Sequence, residues 1–440
     1  MTNRRRAYYV LGILLIVYTL NFIDRVIIGI LAPPIKAELG LSDTQLGLLG
    51  GTAFALFYTG LGIPIAWLAD RYNRVWIVTA ALTIWSGFTA ACGLAQNFTQ
   101  LFLARLGVGV GEAGGVAPAY SIVADYFPPQ QRARALGVFS FGIPLGSALG
   151  LMLGGVIASQ VNWRWAFVAV GLAGVVLAPL LLATVREPVR GNLDPGAATN
   201  RARLLATVRE PVRGNLDPGA ATNRAPLPMK QVLAVLARKK SFWGLALGAA
   251  TSSMMGYGLA FWMPSLFIRS FGLTLVEVSW MYGSVVLVCG IAGIWFGAWM
   301  ADRYGRRSRG AYALVPAFTL LACVPFMVGG ALAPTFVVAL ALFCIPEALR
   351  LAWLGPVLAA IQQLVLPQMR ATASAAFLFI NNLIGLGLGS LLLGRLSDAL
   401  RATYGDESLR YAIVFGSGLY VISGAVFLWC ARHLARDWTD

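Results

Sequence analysis

The sequence predicts an all-α membrane protein whose twelve transmembrane helices form two related halves of six. Hydrophobic residues make up 58% of the 440 residues and charged residues only 12%, whereas a soluble domain has roughly 25% charged residues. The chain also contains about twelve separate apolar runs, and short motifs of its first half return in its second half at a constant offset. We therefore expect a membrane protein built by duplication of a six-helix unit.

Each apolar run has about 20 or more mostly apolar residues, enough to cross roughly 30 Å of hydrocarbon as a helix. In chain order the predicted spans lie near residues 8–33, 45–69, 75–96, 99–124, 134–159, 163–185, 242–268, 276–300, 311–332, 335–364, 371–394 and 411–431. An even number of spans places both termini on the same side. Arginines are concentrated in alternate loops, which predicts that both termini are cytoplasmic. We expect a multi-pass protein of the cell inner membrane.

The chain is strongly basic, with 34 Lys and Arg against 18 Asp and Glu and a net charge of +16. This excess lies mostly in short loops between apolar runs, so it indicates membrane topology, and we expect no nucleic-acid partner. The single histidine, His433, lies in the C-terminal tail, so any proton relay inside the membrane must use carboxylates.

The cysteines have no spacing typical of a metal site or a disulfide framework, and all lie within apolar runs. We interpret them as small packing residues and expect no metal and no cofactor. The five residues are Cys92, Cys289, Cys323, Cys344 and Cys430.

The beginning of the second span recurs at the eighth. Gly40–Ser42 returns 232 positions later as Gly272–Thr274, and in both copies a Gln or Glu follows the Ser or Thr three residues on. This is the pattern of a capping box, so both copies predict the start of a helix. The same offset relates Asp70–Tyr72 to Asp302–Tyr304, which end these spans.

A linker is predicted between the two halves. Residues 1–185 form the N-terminal half, residues 186–240 a cytoplasmic linker and residues 241–440 the C-terminal half. Residues 181–202 recur identically as residues 204–225. Their Asn-Leu-Asp-Pro-Gly composition is typical of a loop, and we assign this duplication no function.

After the duplication, one helical face is apolar and the other basic, which predicts an interfacial helix on the cytoplasmic surface. The apolar residues are Met229, Val232, Leu233 and Leu236, and the basic residues are Lys230, Arg238, Lys239 and Lys240.

Two carboxylates are predicted to lie near the middle of the membrane. At about 1.5 Å per residue, Asp24 lies roughly 13 Å and Glu112 roughly 18 Å from the outer ends of their spans. An anion at this depth is disfavoured unless a cation lies close, so such a group can take up and release protons as its surroundings change. We predict that Asp24 and Glu112 exchange protons. The alternative is that both are held in structural ion pairs with Arg25 and Arg105.

The predicted spans contain other charged residues that could contact a substrate or pair with each other. Arg25 cannot share a helical face with Asp24, because neighbours point about 100° apart, so we expect it to face another helix or an anionic substrate group. Glu347 and Arg350 are three residues apart and can pair with each other. A structural pair and a substrate contact both stay open for them. An offset of 238 places Arg350 at the position of Glu112 in the repeat.

Glycines recur every four residues in the fourth and fifth spans, a spacing that allows helices to approach closely. They are Gly107, Gly111 and Gly115 in one span and Gly142, Gly146, Gly150 and Gly154 in the other.

The loop after the second span reads Ala66-Trp67-Leu68-Ala69-Asp70-Arg71-Tyr72-Asn73-Arg74, and the loop after the eighth reads Gly297-Ala298-Trp299-Met300-Ala301-Asp302-Arg303-Tyr304-Gly305-Arg306-Arg307. These motifs resemble the signature of the major facilitator superfamily, although Asn73 replaces the usual Gly and Ala66 departs at another small-residue position. The resemblance covers nearly all of the chain outside the linker. It implies a latch between the cytoplasmic ends of the halves, with Asp125 as the partner of Arg74. The implied gate residues are Asp70, Arg71, Arg74, Asp125, Asp302, Arg303 and Arg306.

Asn21–Arg25, Gly109–Asp125 and Phe139–Gly146 are similar to the spinster-like branch of that superfamily. This branch exports sphingosine phosphate and moves lysophospholipids. The resemblance implies proton-linked alternating access, with Asp24 and Glu112 as the proton-responsive pair and Arg25 beside them.

The predicted function is therefore a proton-coupled secondary transporter that moves an amphipathic, lipid-like substrate of the sphingolipid or lysophospholipid type. Its expected partners are this substrate, protons and membrane lipids, and we expect a monomer. An organic-anion:proton symporter is the alternative, because related branches also have Asp-Arg in the first helix. A receptor or channel is less favoured, since a channel needs a continuous polar pore. An enzyme is not expected, because the sequence offers no nucleophile or metal constellation within its spans.

Overall fold

The computed structural model describes residues 3–69, 71–190, 229–305, 308–365 and 369–438, and the regular structure of these residues is entirely helical. This confirms the predicted all-α fold. The predicted gate residues Asp70 and Arg306, the side chain of Asp302 and most of the duplicated segment lie outside the described part.

Eight helices cover the first six predicted spans. The fourth and fifth spans each consist of two helices, and the second contains a π-helical turn at Leu48–Thr52. The helices are α1 (Asn3–Leu39), α2 (Asp43–Ala69), α3 (Arg74–Cys92), α4 (Phe98–Glu112), α5 (Val116–Tyr126), α6 (Pro129–Ser140), α7 (Gly142–Gln160) and α8 (Trp163–Thr184).

The rest of the described chain forms ten helices. A π-helical turn at Asn382–Leu386 joins two of them into the eleventh span. The helices are α9 (Met229–Arg238), α10 (Lys240–Phe271), α11 (Leu275–Gly305), α12 (Ala311–Ala331), α13 (Phe336–Leu349), α14 (Leu354–Gln363), α15 (Arg370–Asn381), α16 (Gly387–Tyr404), α17 (Ser408–Gly416) and α18 (Gly418–Asp437).

Nine helical segments of the described chain are long and apolar enough to cross a membrane, judged by length and composition. One of them, Thr372–Asp437, turns at Gly405–Glu407 and therefore contains two passes. The 32-residue α10 and the α4–α5 pair bring the total to the twelve spans that the sequence predicts.

The repeated capping motif forms the same local structure in both halves. The Ser42 hydroxyl accepts the backbone N–H of Gln45, and the Gln45 side chain accepts the N–H of Ser42. Thr274 and Glu277 make the equivalent pair of bonds. The preceding glycines have φ values of 62° and 68°, a left-handed conformation that other residues rarely adopt. The predicted helix starts are thus confirmed.

The glycine stripes are positions of close helix contact, as their spacing predicts. A Cβ atom added at Gly146 would lie 2.4 Å from the carbonyl oxygen of Thr19, so α7 and α1 meet backbone to backbone. A Cβ at Gly111 would lie 2.4 Å from the backbone nitrogen of Trp85 on α3. These contacts fix α1, α3 and α4 around the charged residues between them.

The two halves meet along three helix pairs, α1 with α10, α2 with α16 and α7 with α11. Beside them, α9 packs on α15 and α10, with Val232 and Leu236 buried and Leu233 exposed. Part of the predicted apolar face of α9 therefore packs against the protein, and part of it is exposed. Its interfacial position stays a prediction, and the side chains of Met229 and Lys230 are not described.

Candidate functional site

Asp24 lies on α1 among helices of the N-terminal half, and its side chain is buried. Arg105 of α4 donates from Nη1 to Asp24 Oδ1 at 3.2 Å. Thr89 of α3 hydrogen-bonds the second carboxylate oxygen, Oδ2. Three helices thus place a cation and a hydroxyl on one carboxyl group.

The Thr89 hydroxyl has one hydrogen but two neighbouring acceptors. Besides Asp24 Oδ2, it lies 2.9 Å from the carbonyl oxygen of Trp85. If Asp24 is ionised, the hydroxyl can donate to only one of them. If Asp24 is protonated, it can donate to Thr89 while Thr89 donates to Trp85. The geometry accommodates a proton on this carboxyl group.

Glu112, at the end of α4, forms the second ion pair of the site. Arg25 donates from Nε to Glu112 Oε2 at 2.7 Å, and Glu112 is fully buried. Its other oxygen, Oε1, has no hydrogen-bond partner among the described residues. The charges of Glu112 and Asp24 also interact with each other. The two pairs therefore form one cluster of two acids and two arginines, which we call the four-charge cluster: Asp24, Arg25, Arg105 and Glu112.

Aromatic rings surround the Arg25 guanidinium. Its carbon lies 4.4 Å from the ring centre of Tyr58 and 5.0 Å from those of Phe22 and Phe54. Such contacts stabilise a cation that has lost its water. One turn earlier on α1, both amide atoms of the buried Asn21 lack a hydrogen-bond partner among the described residues. The Arg25 cation therefore lies among aromatic rings, one helical turn from an amide group that has no hydrogen-bond partner among the described residues.

Two spans that were predicted to be continuous are interrupted at this site. The fourth span breaks at Ala113–Gly115, directly after Glu112, and the tenth at Arg350–Trp353. The predicted spans near 99–124 and 335–364 each consist of two helices, a division that the sequence analysis did not predict. A proline follows each break, Pro118 in the fourth span and Pro356 in the tenth, and the two are 238 positions apart. Proline has no backbone N–H, so neither can form the helical hydrogen bond to the carbonyl four residues earlier, which lies in the break. Broken helices at corresponding positions of a repeat are typical of transporter binding sites.

The C-terminal half has its own buried pair beside the second break. Arg350 donates from Nε to Glu347 Oε2 at 3.0 Å, and a second bond joins the same side chains. Tyr282 and Tyr420 lie beside this pair and interact with it electrostatically. Tyr257 of α10 interacts with both Arg25 and Arg350. A tyrosine therefore lies within electrostatic reach of charged groups in both halves.

The predicted gate residues that are described fall into two groups. Arg74 is buried and donates to Asp125 at 2.5 Å and to Ser121 at 2.7 Å. It also donates to Glu187 at 2.6 Å, a partner that the sequence analysis did not identify. Arg71 and Arg303 are exposed, and Arg71 stacks on its neighbour Trp67.

At the opposite ends of the helices, Asp43 joins the two halves. Its carboxylate accepts two bonds from Arg269 of α10, at 2.7 and 2.8 Å, and one from Ser397 of α16 at 2.7 Å. Lys36 of α1 pairs with the same group. Sequence analysis missed this arrangement, although each residue lies at the end of a predicted span.

Asp398 makes the reciprocal connection from the C-terminal half. It accepts the backbone N–H of Thr44 at 2.7 Å and that of Asp43 at 3.1 Å, at the N-terminus of α2. A carboxylate there compensates the unpaired N–H groups of the helix end. We call this group the Asp43 cluster: Lys36, Asp43, Thr44, Arg269, Ser397 and Asp398.

Comparisons with known proteins agree with this arrangement. The family profile described as Major Facilitator Superfamily matches residues 14–390. An MFS-type efflux pump of Mycolicibacterium smegmatis is 35% identical over 432 residues, which cover 98% of this chain and 94% of that protein. Human protein spinster homolog 1 is 28% identical over 98% of this chain and 82% of its own length. A crystal structure of a bacterial homologue of the human lysosomal transporter spinster, inward-facing and unoccupied, is 31% identical with a TM-score of 0.85 and covers 99% of each chain.

Proposed function

Because this chain belongs to the Major Facilitator Superfamily and is a transporter of the spinster-like type, we propose that it couples protons to the movement of an amphipathic, lipid-like substrate by alternating access. Its fold is that of the superfamily, with twelve membrane-spanning helices in two six-helix halves. Proteins of this family are transporters of small molecules and not enzymes. Asp24 and Glu112 are the proposed proton carriers.

The observation that supports this proposal most strongly is the unpaired oxygen of Glu112. A buried carboxylate with one unpartnered oxygen is costly as an anion. When Glu112 takes up a proton, it can no longer hold Arg25 by charge. Arg25 then becomes available to an anionic substrate group or to Tyr58. Protonation and substrate binding are in this way linked through one guanidinium.

The release of Arg25 must also affect the contacts between the two halves of the transporter. Tyr257 lies within electrostatic reach of Arg25 in one half and Arg350 in the other, and we propose that a change at Arg25 acts on the C-terminal half through it. The Asp43 cluster holds the halves together at one end of the helices. We propose that this end is closed here and that substrate exchanges at the other end, beside Arg74. Asp70, Arg71, Arg74, Asp125, Asp302, Arg303 and Arg306 would then be gate residues of the open end.

The lipid-like substrate is supported by the rings around Arg25 and by the relatives. Tyr58, Phe22 and Phe54 provide apolar surface beside a cation, which suits a molecule with a charged head and an apolar chain. Several relatives are named spinster homologues. One relative is named an efflux pump, and this favours export as the direction.

We also propose the topology that the arginine distribution predicts. Both termini and the linker, residues 186–240, would lie in the cytoplasm, with the gate end of each half on the same side. The protein would act as a monomer in the cell inner membrane, with residues 1–185 and 241–440 as its moving halves.

Flux into liposomes at an acidic and a neutral external pH tests this proposal. The purified protein is reconstituted with a fluorescent lysophosphatidylcholine outside and a pH-sensitive dye inside. We expect Glu112→Gln to fold normally but to lose proton movement and pH dependence. The control is Glu277→Gln, the same change at an exposed helix cap, where the first repeat has Gln45. Full proton movement in the Glu112→Gln variant would contradict the proposed coupling.

Competition separates the two substrate classes. Unlabelled lysophospholipids should reduce the flux of the labelled probe, whereas short carboxylates should not. Competition by short carboxylates alone would favour an organic-anion:proton symporter.

A further inference from the structure

Two parallel helices of the C-terminal half, α11 and α13, touch backbone to backbone. A Cβ atom added at Gly293 would lie 1.9 Å from the carbonyl oxygen of Ala348, and one added at Gly297 would lie 2.2 Å from that of Ala352, in the break that follows α13. Each of these facing pairs is separated by the same 55 positions. The helices therefore run in one register along this contact.

Cys289 and Cys344 occupy the next facing position of the same register, also 55 positions apart and one turn before Gly293 and Ala348. Both are free thiols and both are half-buried, and they lie close enough to influence each other electrostatically. Sequence analysis interpreted the cysteines as separate packing residues, because nothing in their spacing joins residues on two different spans. The contact of α11 with α13 makes them a pair.

We propose that Cys289 and Cys344 form a reversible disulfide that ties α11 to α13. A disulfide needs Cα atoms within roughly 7 Å and Cβ atoms that face each other, and helices in backbone contact provide this one turn from their closest approach. Neither thiol is fully buried, and the neighbouring apolar residues Val288 and Ile345 are 65% and 37% exposed. A small apolar oxidant can therefore reach the site.

A lipid hydroperoxide is the class of oxidant that fits this position. The two thiols lose two protons and two electrons as the S–S bond forms. The hydroperoxide accepts them as its O–O bond breaks, which yields one alcohol and one water. Thiols among apolar side chains stay protonated and react slowly, so the local concentration of oxidant matters, and an oxidant that partitions into the membrane is favoured over one confined to water.

The position of the pair gives the disulfide a structural consequence. Cys344 lies one turn before Glu347 and two turns before the break at Arg350–Trp353. The disulfide would hold the last turns of α13 against α11. Bending at the break would then be restrained.

Counting thiols on the full-length protein in phosphatidylcholine liposomes tests the bond. After treatment with cumene hydroperoxide, we expect the protein to lose two of its five maleimide-reactive cysteines, measured as a gel shift with a polymer-linked maleimide in denaturant. A membrane-permeant phosphine should restore both. Cys289→Ser and Cys344→Ser should each keep all four remaining thiols, whereas Cys323→Ser should still lose two. Retention of five thiols in the native sequence, or a disulfide between two chains, would overturn the proposal.

Hydrogen exchange tests the consequence independently of any transport assay. Oxidation should slow exchange of the peptide that contains Arg350–Trp353 in the native sequence, and it should leave that peptide unchanged in Cys289→Ser. Thermal unfolding of the reduced proteins verifies that the serine variants fold. Equal exchange in the oxidised and reduced native protein would refute the restraint on α13.

Discussion

The hydroxyl of Thr89 allows the proposed proton site at Asp24 to be tested with a single change. Thr89→Val keeps the shape of the side chain and removes the donor to Asp24 Oδ2. The bond to Thr89 is worth about 1.5–3 kcal/mol when Asp24 is ionised and about 0.5–1.5 kcal/mol when it is protonated, so its loss favours the protonated acid by the difference, about 1 kcal/mol. We expect the pH of half-maximal transport to rise by about one unit, since one unit corresponds to about 1.4 kcal/mol.

The matched control for Thr89→Val is Thr83→Val on the same helix, because the Thr83 hydroxyl donates to the carbonyl of Thr79 at 2.9 Å and not to an acid. Its pH profile should coincide with that of the native protein. An unchanged profile in Thr89→Val would show that Asp24 does not exchange the coupled proton.

Sequence analysis identified the acids of the site but not all their partners. Asp24 and Glu112 were recognisable because a carboxylate within a predicted span needs an explanation. Both ion-pair partners named from the sequence, Arg25 and Arg105, are present. Thr89 was not recognisable, since a threonine in an apolar run has no charge to mark it. Its role depends on which face of α3 packs on α1.

Among the elements, the contact of α7 with α1 offers the clearest test of packing. Gly146→Ala would place a methyl group 2.4 Å from the Thr19 carbonyl oxygen, so the helices must separate beside Asp24. Overpacking of this kind costs about 1–3 kcal/mol. We expect a lower thermal unfolding temperature and a lower transport rate.

Gly137→Ala on α6 is the control for that change, because a Cβ there meets no atom within 4 Å. Alanine favours a helix over glycine by up to about 1 kcal/mol, so this variant should be equally or more stable. Equal unfolding temperatures in both variants would mean that α1 and α7 are not held at this distance.

The spans themselves were predictable, but their interruptions were not. Composition and length place most apolar runs within about six residues of their helices, although α16 continues to Tyr404, ten residues past the predicted end of its span. The capping motifs fix the starts of α2 and α11. The breaks after Glu112 and at Arg350 were missed because an apolar run shows no loss of hydrophobicity there. The sequence does contain an indication of both breaks, because Pro118 recurs as Pro356 at the offset of the repeat and a proline within a span can interrupt its helix. Counting apolar runs does not take prolines into account.

For the whole molecule, the repeat predicted two similar halves without predicting how they meet. An offset within the sequence relates each helix to its counterpart, whereas the contacts of α2 with α16 and α10 follow from the conformation that the halves adopt. Asp398 illustrates this limit. In the sequence it is one charge in a loop, and in the structure it accepts the N–H groups at the start of α2.

We expect the Asp43 cluster to influence the balance between the two conformations of the transporter. Removing one partner of a buried ion pair costs roughly 3–5 kcal/mol, because the other charge stays unpaired. If the cluster exists only when this end is closed, Asp43→Asn or Arg269→Gln destabilises that conformation alone. A difference of about 5.5 kcal/mol is enough to invert an equilibrium from 99:1 to 1:99. We therefore expect a large population open at this end in Asp43→Asn, and a smaller one in Arg269→Gln, in which Asp43 keeps its pair with Lys36.

Spin-label distances measure this opening. The labels are introduced as noncanonical amino acids at two exposed residues, Leu94 and Leu332. The two positions lie in different halves at the end that holds Asp43. The distance distribution should gain a longer distance in Asp43→Asn. Combining Asp43→Asn with Arg269→Gln should increase the open population little further, since both changes break the same bonds. Glu38→Gln is the control, because its pair with Arg164 is largely exposed and lies within one half. If Asp43→Asn and Glu38→Gln give the same distances, the Asp43 cluster does not hold the halves closed, and this end must be sealed by the apolar contacts of α7 with α11.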